Sequence, residues 1–271
     1  MTNIINGTLT TAPKRKNGCN PSSYALPGNS KYNMYKYDEP SKLCFREGNP
    51  KTDKNKKIEG LNKYLILRLN LAPYTISGFN TCASASPGCA AACLHTAGNP
   101  VFMQQKNLGR INRTRFYFRD RAKFLTKLIK EITNHELYCH KNGFIPVVRL
   151  NTTSDIPWEI HKIFDLFPNI NFYDYTKIKK RAIKHAEGLM PKNYHLTFSQ
   201  NEANKVDSLE VLKRGGNIAV VFRNQLPEYY QGYKVVNGDN HDLRFTDPVN
   251  VVVGLKAKGK AKTDQSGFVI D

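Results

Sequence analysis

The sequence predicts an α/β protein built as a partial (β/α)6 barrel of the TIM type, and two observations predict it. Four apolar segments begin near residues 145, 170, 194 and 217, a spacing of about 24 residues, which is the length of one strand–helix unit. Two further apolar segments, 64–71 and 249–255, precede and follow this series. Six parallel strands make an open or partial barrel, and a doubly wound sheet is the alternative.

Each predicted element has a local reason. The predicted strands are 64–71, 144–150, 170–175, 194–198, 217–222 and 249–255. Short helices are predicted at 157–167, where proline occupies the first turn, and at 177–187 and 202–214, where glycine follows the last residue. A longer helix is predicted at 114–135, because apolar residues recur there at helical spacing behind Thr114 as N-cap.

The composition divides the chain into two parts. Residues 1–60 predict an irregular basic N-terminal extension, and residues 61–271 predict the barrel domain. The extension is rich in Asn, Lys, Pro, Gly and Ser and has few apolar runs, a composition that builds little core of its own. It contains Cys19 and Cys44, and either is a candidate fourth ligand for a metal site.

Three cysteines in segment 77–98 are the strongest functional signal. Cys82, Cys89 and Cys93 are separated by six and then three residues, among small residues that let the backbone approach a bulky group. The segment follows the first predicted strand, and α/β folds place their chemistry at such strand ends. Thiolates bind iron–sulfur clusters and zinc, so we predict a metal site here, with His95 as a fourth ligand for zinc. The alternatives are buried structural thiols or a disulfide.

Composition also limits the class of protein. The chain has 271 residues and is 40% hydrophobic, which suffices for one large domain or two small ones. It has no run of eighteen apolar residues, and its first residues lack the apolar stretch of a signal peptide. We therefore expect no membrane contact and a reducing cytoplasm, where six cysteines favour metal binding or free thiols over disulfides.

The net charge is +19, from 41 basic and 22 acidic residues. An excess of this size predicts contact with nucleic acid or another polyanion. The abundance of Asn, Lys, Ile and Tyr is also what an AT-rich genome produces, so composition alone explains part of the charge.

Polar residues follow each of the central predicted strands. The carboxyl ends of parallel strands share one edge of a sheet, so these residues would converge with the cysteine segment. We predict that they line a cofactor or substrate pocket. The candidate cofactor-binding residues are Asn151, Ser154, Asp155, Asp174 and Gln200.

A second charged cluster lies in segment 238–248. Its candidate site residues are Asp239, Asp242 and Arg244. The Asp and His side chains in this segment could bind a metal or a sugar hydroxyl. A salt-bridged turn explains the same pattern equally well.

A strand followed by three cysteines and then by strand–helix units resembles the radical S-adenosylmethionine superfamily. The resemblance implies a four-iron four-sulfur cluster held by three cysteines, with S-adenosylmethionine on the open iron and on later strand ends. It also implies cleavage of this cofactor to a 5′-deoxyadenosyl radical. The superfamily's usual cysteine spacing is three and then two residues, whereas this chain has six and three. We carry over only the cluster role, to Cys82, Cys89 and Cys93.

Several segments between about residues 64 and 262 resemble a family of bacteriophage proteins called gene product 88. They read CASASPGCAAACLHTAG, RFYFRDRAKF, RLNTTSDIPWE, GDNHDLRFTDP and VVGLKAKGKA. The resemblance implies a viral origin and therefore the cytoplasm of an infected host.

The sequence therefore predicts a phage-encoded iron–sulfur protein, with a radical S-adenosylmethionine-type enzyme as the finer hypothesis. The alternative is a nucleic-acid-binding or partner-binding protein in which the cluster, or zinc, is structural. A metal-free nucleic-acid enzyme that uses Asp239 and Asp242 is a third hypothesis, and it leaves the cysteine spacing unexplained.

Overall fold

The computed structural model describes residues 37–46, 52–93 and 104–271. In these parts the chain forms ten strands and five α-helices. The strands are β1 Cys44–Phe45, β2 Tyr64–Leu69, β3 Ile145–Arg149, β4 Asn171–Thr176, β5 Tyr194–Ser199, β6 Ile218–Phe222, β7 Tyr229–Tyr230, β8 Tyr233–Asn237, β9 Val252–Lys256 and β10 Val269–Ile270. The helices are α1 Pro87–Ala91, α2 Gln104–Arg119, α3 Arg121–Lys141, α4 Lys179–Ala186 and α5 Lys205–Lys213.

One mixed sheet contains all of these strands. Its hydrogen-bonded order is β1-β2-β3-β4-β5-β6-β9-β8-β7, and β10 lies beside β6. Strands β2 to β6 are parallel neighbours in chain order, and β9 and β8 continue the parallel pairing. At the two edges, β1 pairs antiparallel with β2 and β7 pairs antiparallel with β8. The carboxyl ends of the parallel strands therefore form one long edge.

The six predicted strands are confirmed as β2, β3, β4, β5, β6 and β9, each within three residues of its predicted bounds. The predicted TIM-like barrel is not confirmed, because the sheet is open. Closure would require pairing between β2 and β9, but β1 occupies the free edge of β2 and β8 occupies that of β9. The fold class is therefore mixed α/β with an open ten-stranded sheet.

The helices pack on one face of the sheet. Alternate strand residues point to this face, and Leu69 of β2 and Val148 of β3 pack there with Phe116 of α2 and Phe124 of α3. Trp158 is fully buried in the same cluster. Helices α4 and α5 cover the strands from β5 to β9 in a second cluster. The predicted strand–helix units thus build one continuous helical layer.

The opposite, inner face of the sheet carries a smaller apolar cluster. Ile66, Val147 and Tyr173 lie on three neighbouring strands and pack against Leu243. The short 3-10 helix Arg244–Thr246 follows Leu243 directly. Side chains, and not a second row of strands, cover this part of the inner face.

The predicted helix 114–135 is two helices, α2 and α3, which separate at Asp120. The Asp120 side chain accepts a hydrogen bond of 3.3 Å from the Lys123 amide and is the N-cap of α3. The predicted N-cap, Thr114, lies inside α2, where its hydroxyl accepts a hydrogen bond of 2.8 Å from the Ala72 amide. The prediction was wrong because the apolar periodicity continues through the break.

The predicted helix 157–167 forms two 3-10 segments, Trp158–His161 and Phe164–Leu166. Lys162 ends the first segment with a φ of 54°, a left-handed conformation that no helix continues. The helices predicted at the next two positions are confirmed as α4 and α5. None of the helices in the described ranges has the length and apolar character needed to cross a lipid bilayer.

The described part of the N-terminal extension contacts the main sheet. Leu43 and Cys44 are fully buried in the largest core cluster. Glu131 of α3 accepts hydrogen bonds of 2.8 to 3.1 Å from the backbone amides of both residues. Residues 43–45 therefore share a core with α3 and β2.

Candidate functional site

The cysteine loop, which we define as residues 74–93, lies across the carboxyl ends of the parallel strands. The carbonyl of Thr81 accepts a hydrogen bond of 2.8 Å from the amide of Asp155, in the segment after β3. At its other end, Ala92 packs in one cluster with Val269 of β10. The loop therefore leaves β2 and reaches the far half of the sheet along its carboxyl edge.

Glu202 fixes the part of the loop that carries Cys89. Its carboxylate accepts hydrogen bonds of 2.8 Å from the Ser86 hydroxyl and 2.7 Å from the Gly88 amide. Ser86 is the N-cap of α1 and accepts a hydrogen bond of 3.2 Å from the Cys89 amide. A Cβ atom at Gly88 would lie 2.0 Å from the Ser266 Oγ atom, so only glycine permits this close approach.

Lys177 follows β4 directly, and its half-buried side chain interacts electrostatically with two of the cysteines, Cys82 and Cys89. It donates a hydrogen bond of 2.7 Å to the Ser199 hydroxyl. Burial lowers the pKa of Lys177, but charge attraction to Cys89 and Asp155 outweighs this effect and raises it. Burial raises the pKa of the Cys82 thiol, and the charge of Lys177 acts in the opposite direction. The positive charge of Lys177 therefore acts on the sulfur atoms of both Cys82 and Cys89.

Cys93 faces a different cation, Arg110 of α2. Burial lowers the pKa of Arg110, and the charge of Cys93 partly offsets this effect. Within the described residues, the Nη1 atom of Arg110 is buried and has no hydrogen-bond partner. Each of the three thiols thus has a basic side chain beside it, although at Cys82 the effect of burial is larger than that of the positive charge.

The three thiols are not arranged as ligands of a single ion. In the described part of the chain, no group of three or more His, Cys, Asp and Glu side chains could hold a metal ion. In a four-iron cluster each thiolate binds a different iron, so its ligands lie farther apart than those of one ion. Cys82, Cys89 and Cys93 are half-buried and form no disulfide, and each has a cation beside it. His95, the predicted fourth zinc ligand, and Cys19 lie outside the described residues.

The other two described cysteines lie in the protein core. Cys44, a predicted alternative ligand, is fully buried, and burial raises its pKa well above the usual value. Cys139 is fully buried in α3, with its sulfur atom 3.7 Å from the His135 Nε2 atom. No disulfide joins any of the five cysteines that the structure describes. Both core thiols are placed to pack and not to bind a ligand at the cysteine loop.

Three of the predicted cofactor-binding residues form hydrogen bonds with one another. The Asn151 side-chain oxygen accepts a hydrogen bond of 2.8 Å from the Ser154 hydroxyl, and the Asn151 amide donates one of 2.7 Å to Asp174. The same oxygen accepts a bond of 3.1 Å from the Trp158 ring nitrogen. Burial raises the pKa of Asp174 to about 7, although the Asn151 amide opposes the rise. These residues form a buried hub that shapes the segment after β3.

The remaining two predicted cofactor-binding residues also have protein partners. Asp155 accepts hydrogen bonds of 2.8 Å from the Arg181 guanidinium and 2.7 Å from the Lys177 amide. Burial raises the pKa of Asp155, and the charge of Arg181 opposes the rise. Gln200 donates a hydrogen bond of 2.9 Å to the Tyr230 hydroxyl. Both residues lie at the carboxyl edge of the sheet, where they connect neighbouring segments.

Asp242 lies on the inner face of the sheet. Its Oδ2 atom accepts hydrogen bonds of 2.6 Å from the Arg149 guanidinium and 2.7 Å from the Tyr173 hydroxyl. Burial lowers the pKa of Arg149, but the charge of Asp242 outweighs this effect and raises it. Arg149 of β3 and Asp242 therefore form a buried ion pair.

The other residues predicted in segment 238–248 form ion pairs as well. The Arg244 Nη1 atom lies 3.2 Å from the Asp247 Oδ2 atom. Asp239 is turned toward the surface, where it pairs with Lys258 and accepts a hydrogen bond of 2.8 Å from a backbone amide. Segment 238–248 thus contains the ion pairs expected of a salt-bridged turn, the alternative to a ligand-binding site.

Sequence reasoning missed Lys177, Glu202 and Arg110. The first two follow the strands β4 and β5 closely, so the rule that pointed to the other strand ends could have found them. Thr152, in the segment after β3, has a buried hydroxyl without a hydrogen-bond partner in the described ranges.

A model of the proteins described as gene product 88 matches residues 42–271. The chain belongs to the gene product 88 family. The match includes the cysteine loop, the six predicted strands and β1, whereas no curated protein and no solved structure matches. Membership in the gene product 88 family supports the viral origin, while the likeness to radical S-adenosylmethionine enzymes rests on the sequence features alone.

Proposed function

We propose that this gene product 88 protein is a phage-encoded iron–sulfur protein of the host cytoplasm. Cys82, Cys89 and Cys93 would hold a four-iron four-sulfur cluster at the carboxyl edge of the open sheet. The observation that carries the proposal is the pair of cations beside the thiols: Lys177 faces Cys82 and Cys89, and Arg110 faces Cys93.

The charge balance explains why cations belong there. A cluster bound by thiolates is an anionic group, and burying it requires compensating charge. Lys177 is half-buried and donates a hydrogen bond to the Ser199 hydroxyl, and this bond holds its ammonium at the carboxyl edge of the sheet. Fixed positive charge next to cluster sulfurs stabilises the reduced state and tunes the potential.

The finer proposal is a radical S-adenosylmethionine-type enzyme. When bound, the cluster would supply the electron that cleaves S-adenosylmethionine. The internal hydrogen bonds of Asn151, Ser154 and Asp174 give these residues a positioning role in this proposal. Contact with the cofactor is then left to backbone groups and to the Thr152 hydroxyl beside the hub.

The test of the cluster is metal analysis of protein purified without oxygen. We expect iron and sulfide with the wild-type chain, together with the brown colour of sulfur-to-iron charge transfer. Cys89→Ala should lose them, whereas Cys139→Ala, which changes a thiol in the core, should keep them. Wild-type protein that takes up neither iron nor sulfide under reconstitution would overturn the proposal.

The finer proposal has its own measurement. Reduced wild-type protein incubated with S-adenosylmethionine should release 5′-deoxyadenosine, and Thr152→Val should raise the concentration of cofactor required. Protein that contains iron and sulfide but releases no 5′-deoxyadenosine would be an iron–sulfur protein without this enzymatic activity.

The net charge of +19 favours a second candidate function. In this alternative the cluster, or zinc, is structural and the protein binds nucleic acid or a partner through its basic surface. Native protein that contains zinc and no sulfide would support this alternative.

A further inference from the structure

A cavity of about 660 Å³ lies along the side of the sheet where β1 is the edge strand. It is bounded by β1, by the amino end of β2 and by α3, and we call it the basic pocket. Its cationic residues are Lys42, Arg46 and Lys56, and no acidic side chain is among its described lining residues. The pocket therefore attracts anions.

The basic pocket is also aromatic. Phe45, Tyr64, Tyr138 and Phe144 line it together with the cations. Tyr138 is 41% exposed, and the Arg46 guanidinium lies over its ring at 4.1 Å from the ring centroid. Such a stacked cation and ring offer a flat surface that a further planar group can extend.

The three cations form no strong ion pair among the described residues, although Arg46 donates hydrogen bonds of 3.2 Å to the His135 Nδ1 atom and 3.5 Å to the Asn134 carbonyl. Lys56 lies 3.8 Å from Asp53 in an exposed pair, which contributes little. Among the described residues, no acidic side chain forms an ion pair with Lys42 or Arg46. Incoming phosphates could therefore replace water around these groups without breaking a strong ion pair.

We propose that the basic pocket binds single-stranded nucleic acid. Phosphates contact Lys42 and Lys56, and an unpaired base stacks on the surface formed by Tyr138 and Arg46. Cationic grooves with aromatic platforms are the general means of binding unpaired strands. A double helix does not enter a cavity of this size. A single strand carries a phosphate and an aromatic base in every nucleotide, and so matches both the cations and the rings of the pocket.

The test is fluorescence anisotropy with a labelled oligothymidine strand and whole protein purified without oxygen. We expect binding that weakens as salt rises. Tyr138→Ala should weaken it about tenfold, because one stacked base is lost. Lys42→Ala should reduce the slope of log affinity against log salt by about 0.7, because one phosphate contact is lost.

Controls distinguish the pocket from the general charge of the surface. Lys213→Ala, an exposed change on α5, removes the same charge far from the pocket and should leave affinity within twofold. Thermal midpoints of all variants are compared, so that a folding defect is not taken for a binding defect. Lys42→Arg should restore the salt slope if folding is intact.

Three results would overturn the proposal: no binding at low salt, equal weakening by Lys213→Ala and Lys42→Ala, or duplex binding as tight as that of the single strand and unaffected by Tyr138→Ala. Cys89 lies beside Lys177, which follows β4, whereas the pocket lies along β1, three strands away in the sheet, so Cys89→Ala should bind the strand as wild type does. The proposals for the two sites therefore fail or hold separately.

Discussion

The carboxylate of Glu202 accepts a hydrogen bond of 2.7 Å from the backbone amide of Gly88. This contact joins the segment after β5 to the short helix that carries Cys89. The same carboxylate accepts from the Ser86 hydroxyl, so one side chain satisfies two donors of the cysteine loop. The placement of a thiol thus depends on a residue more than a hundred positions later in the chain.

Glu202→Gln should loosen the cysteine loop. The glutamine amide would face a donor that the carboxylate now satisfies, and an unsatisfied buried donor costs about 1–3 kcal/mol of unfolding free energy. We expect this loss in denaturant unfolding, together with lower iron content per chain. Glu228→Gln, at an exposed position, is the matched control, and an equal effect of both changes would contradict the assignment.

Substitution by alanine should change the stability of the protein in opposite directions at two glycines. In Gly88→Ala the new Cβ would lie 2.0 Å from the Ser266 Oγ atom, so the loop must move and stability should fall. In Gly109→Ala the nearest atom is 3.4 Å away, and alanine inside helix α2 should stabilise by about 1 kcal/mol. Thermal midpoints of the two variants measure the contrast, and a shift of the same sign in both would contradict it.

Arg181 should be far more important for stability than an exposed arginine. It lies 2.8 Å from Asp155 and 2.7 Å from Glu159, and it is 5% exposed. Arg181→Met leaves a buried carboxylate unpaired and should cost about 3–5 kcal/mol. Arg214→Met removes an exposed pair with Glu187 and should cost at most about 1 kcal/mol. Chemical denaturation of both variants tests the difference.

Asp174 should make the protein less stable as pH rises. Its pKa in the folded protein is about 7, above the value of about 3.9 in an unfolded chain. The folded state therefore binds more protons than the unfolded state between these values, and the stabilisation present at low pH is lost as pH rises through about 7.

The expected slope from this group is about 1.4 kcal/mol of unfolding free energy per pH unit. Asp174→Asn should remove that component when unfolding is measured at about pH 5 and about pH 7. An unchanged difference between the two pH values would show that the Asp174 carboxyl is ionised in the folded protein throughout.

Lys177 should control thiol reactivity in protein freed of metal. The charge of Lys177 lowers the pKa of the Cys82 thiol against the larger effect of burial, so Lys177→Met should slow alkylation of Cys82 modestly near neutral pH. Mass spectrometry of the modified peptide measures the rate. Lys205→Met, at an exposed position, should leave the rate unchanged, and Lys177→Arg should restore it in part.

Much of the sheet could be predicted because its central strands are long and apolar and repeat with the strand–helix period. The strands that keep it open could not. β1, which covers the free edge of β2, has two residues, too few to show any periodicity. β8, which covers that of β9, has five residues but does not fit the repeat of about 24 residues. Whether a sheet closes depends on what pairs with its edge strands, and sequence alone does not indicate those partners.

The sequence indicated where the residues of the candidate site lie better than it indicated what their side chains do. The strand-end rule placed Asn151 and Asp174 at the correct edge, but their polar atoms bond to each other. Sequence shows which residues are polar and does not show which polar groups are already satisfied. Lys177 was overlooked because an isolated lysine is ordinarily a surface residue, and its burial depends on contacts from distant segments.

Strand β2 connects the two proposed ligand sites. Tyr64 at its first residue lines the basic pocket, and the cysteine loop begins a few residues after Leu69. The pocket lies along β1 and Lys177, the cation beside Cys89, follows β4; the three strand spacings between them amount to about 14 Å, so a strand of nucleic acid and an inorganic centre could be held at once without touching. Substitutions at the two ends should therefore have additive free-energy effects, and any excess over additivity would measure communication along β2.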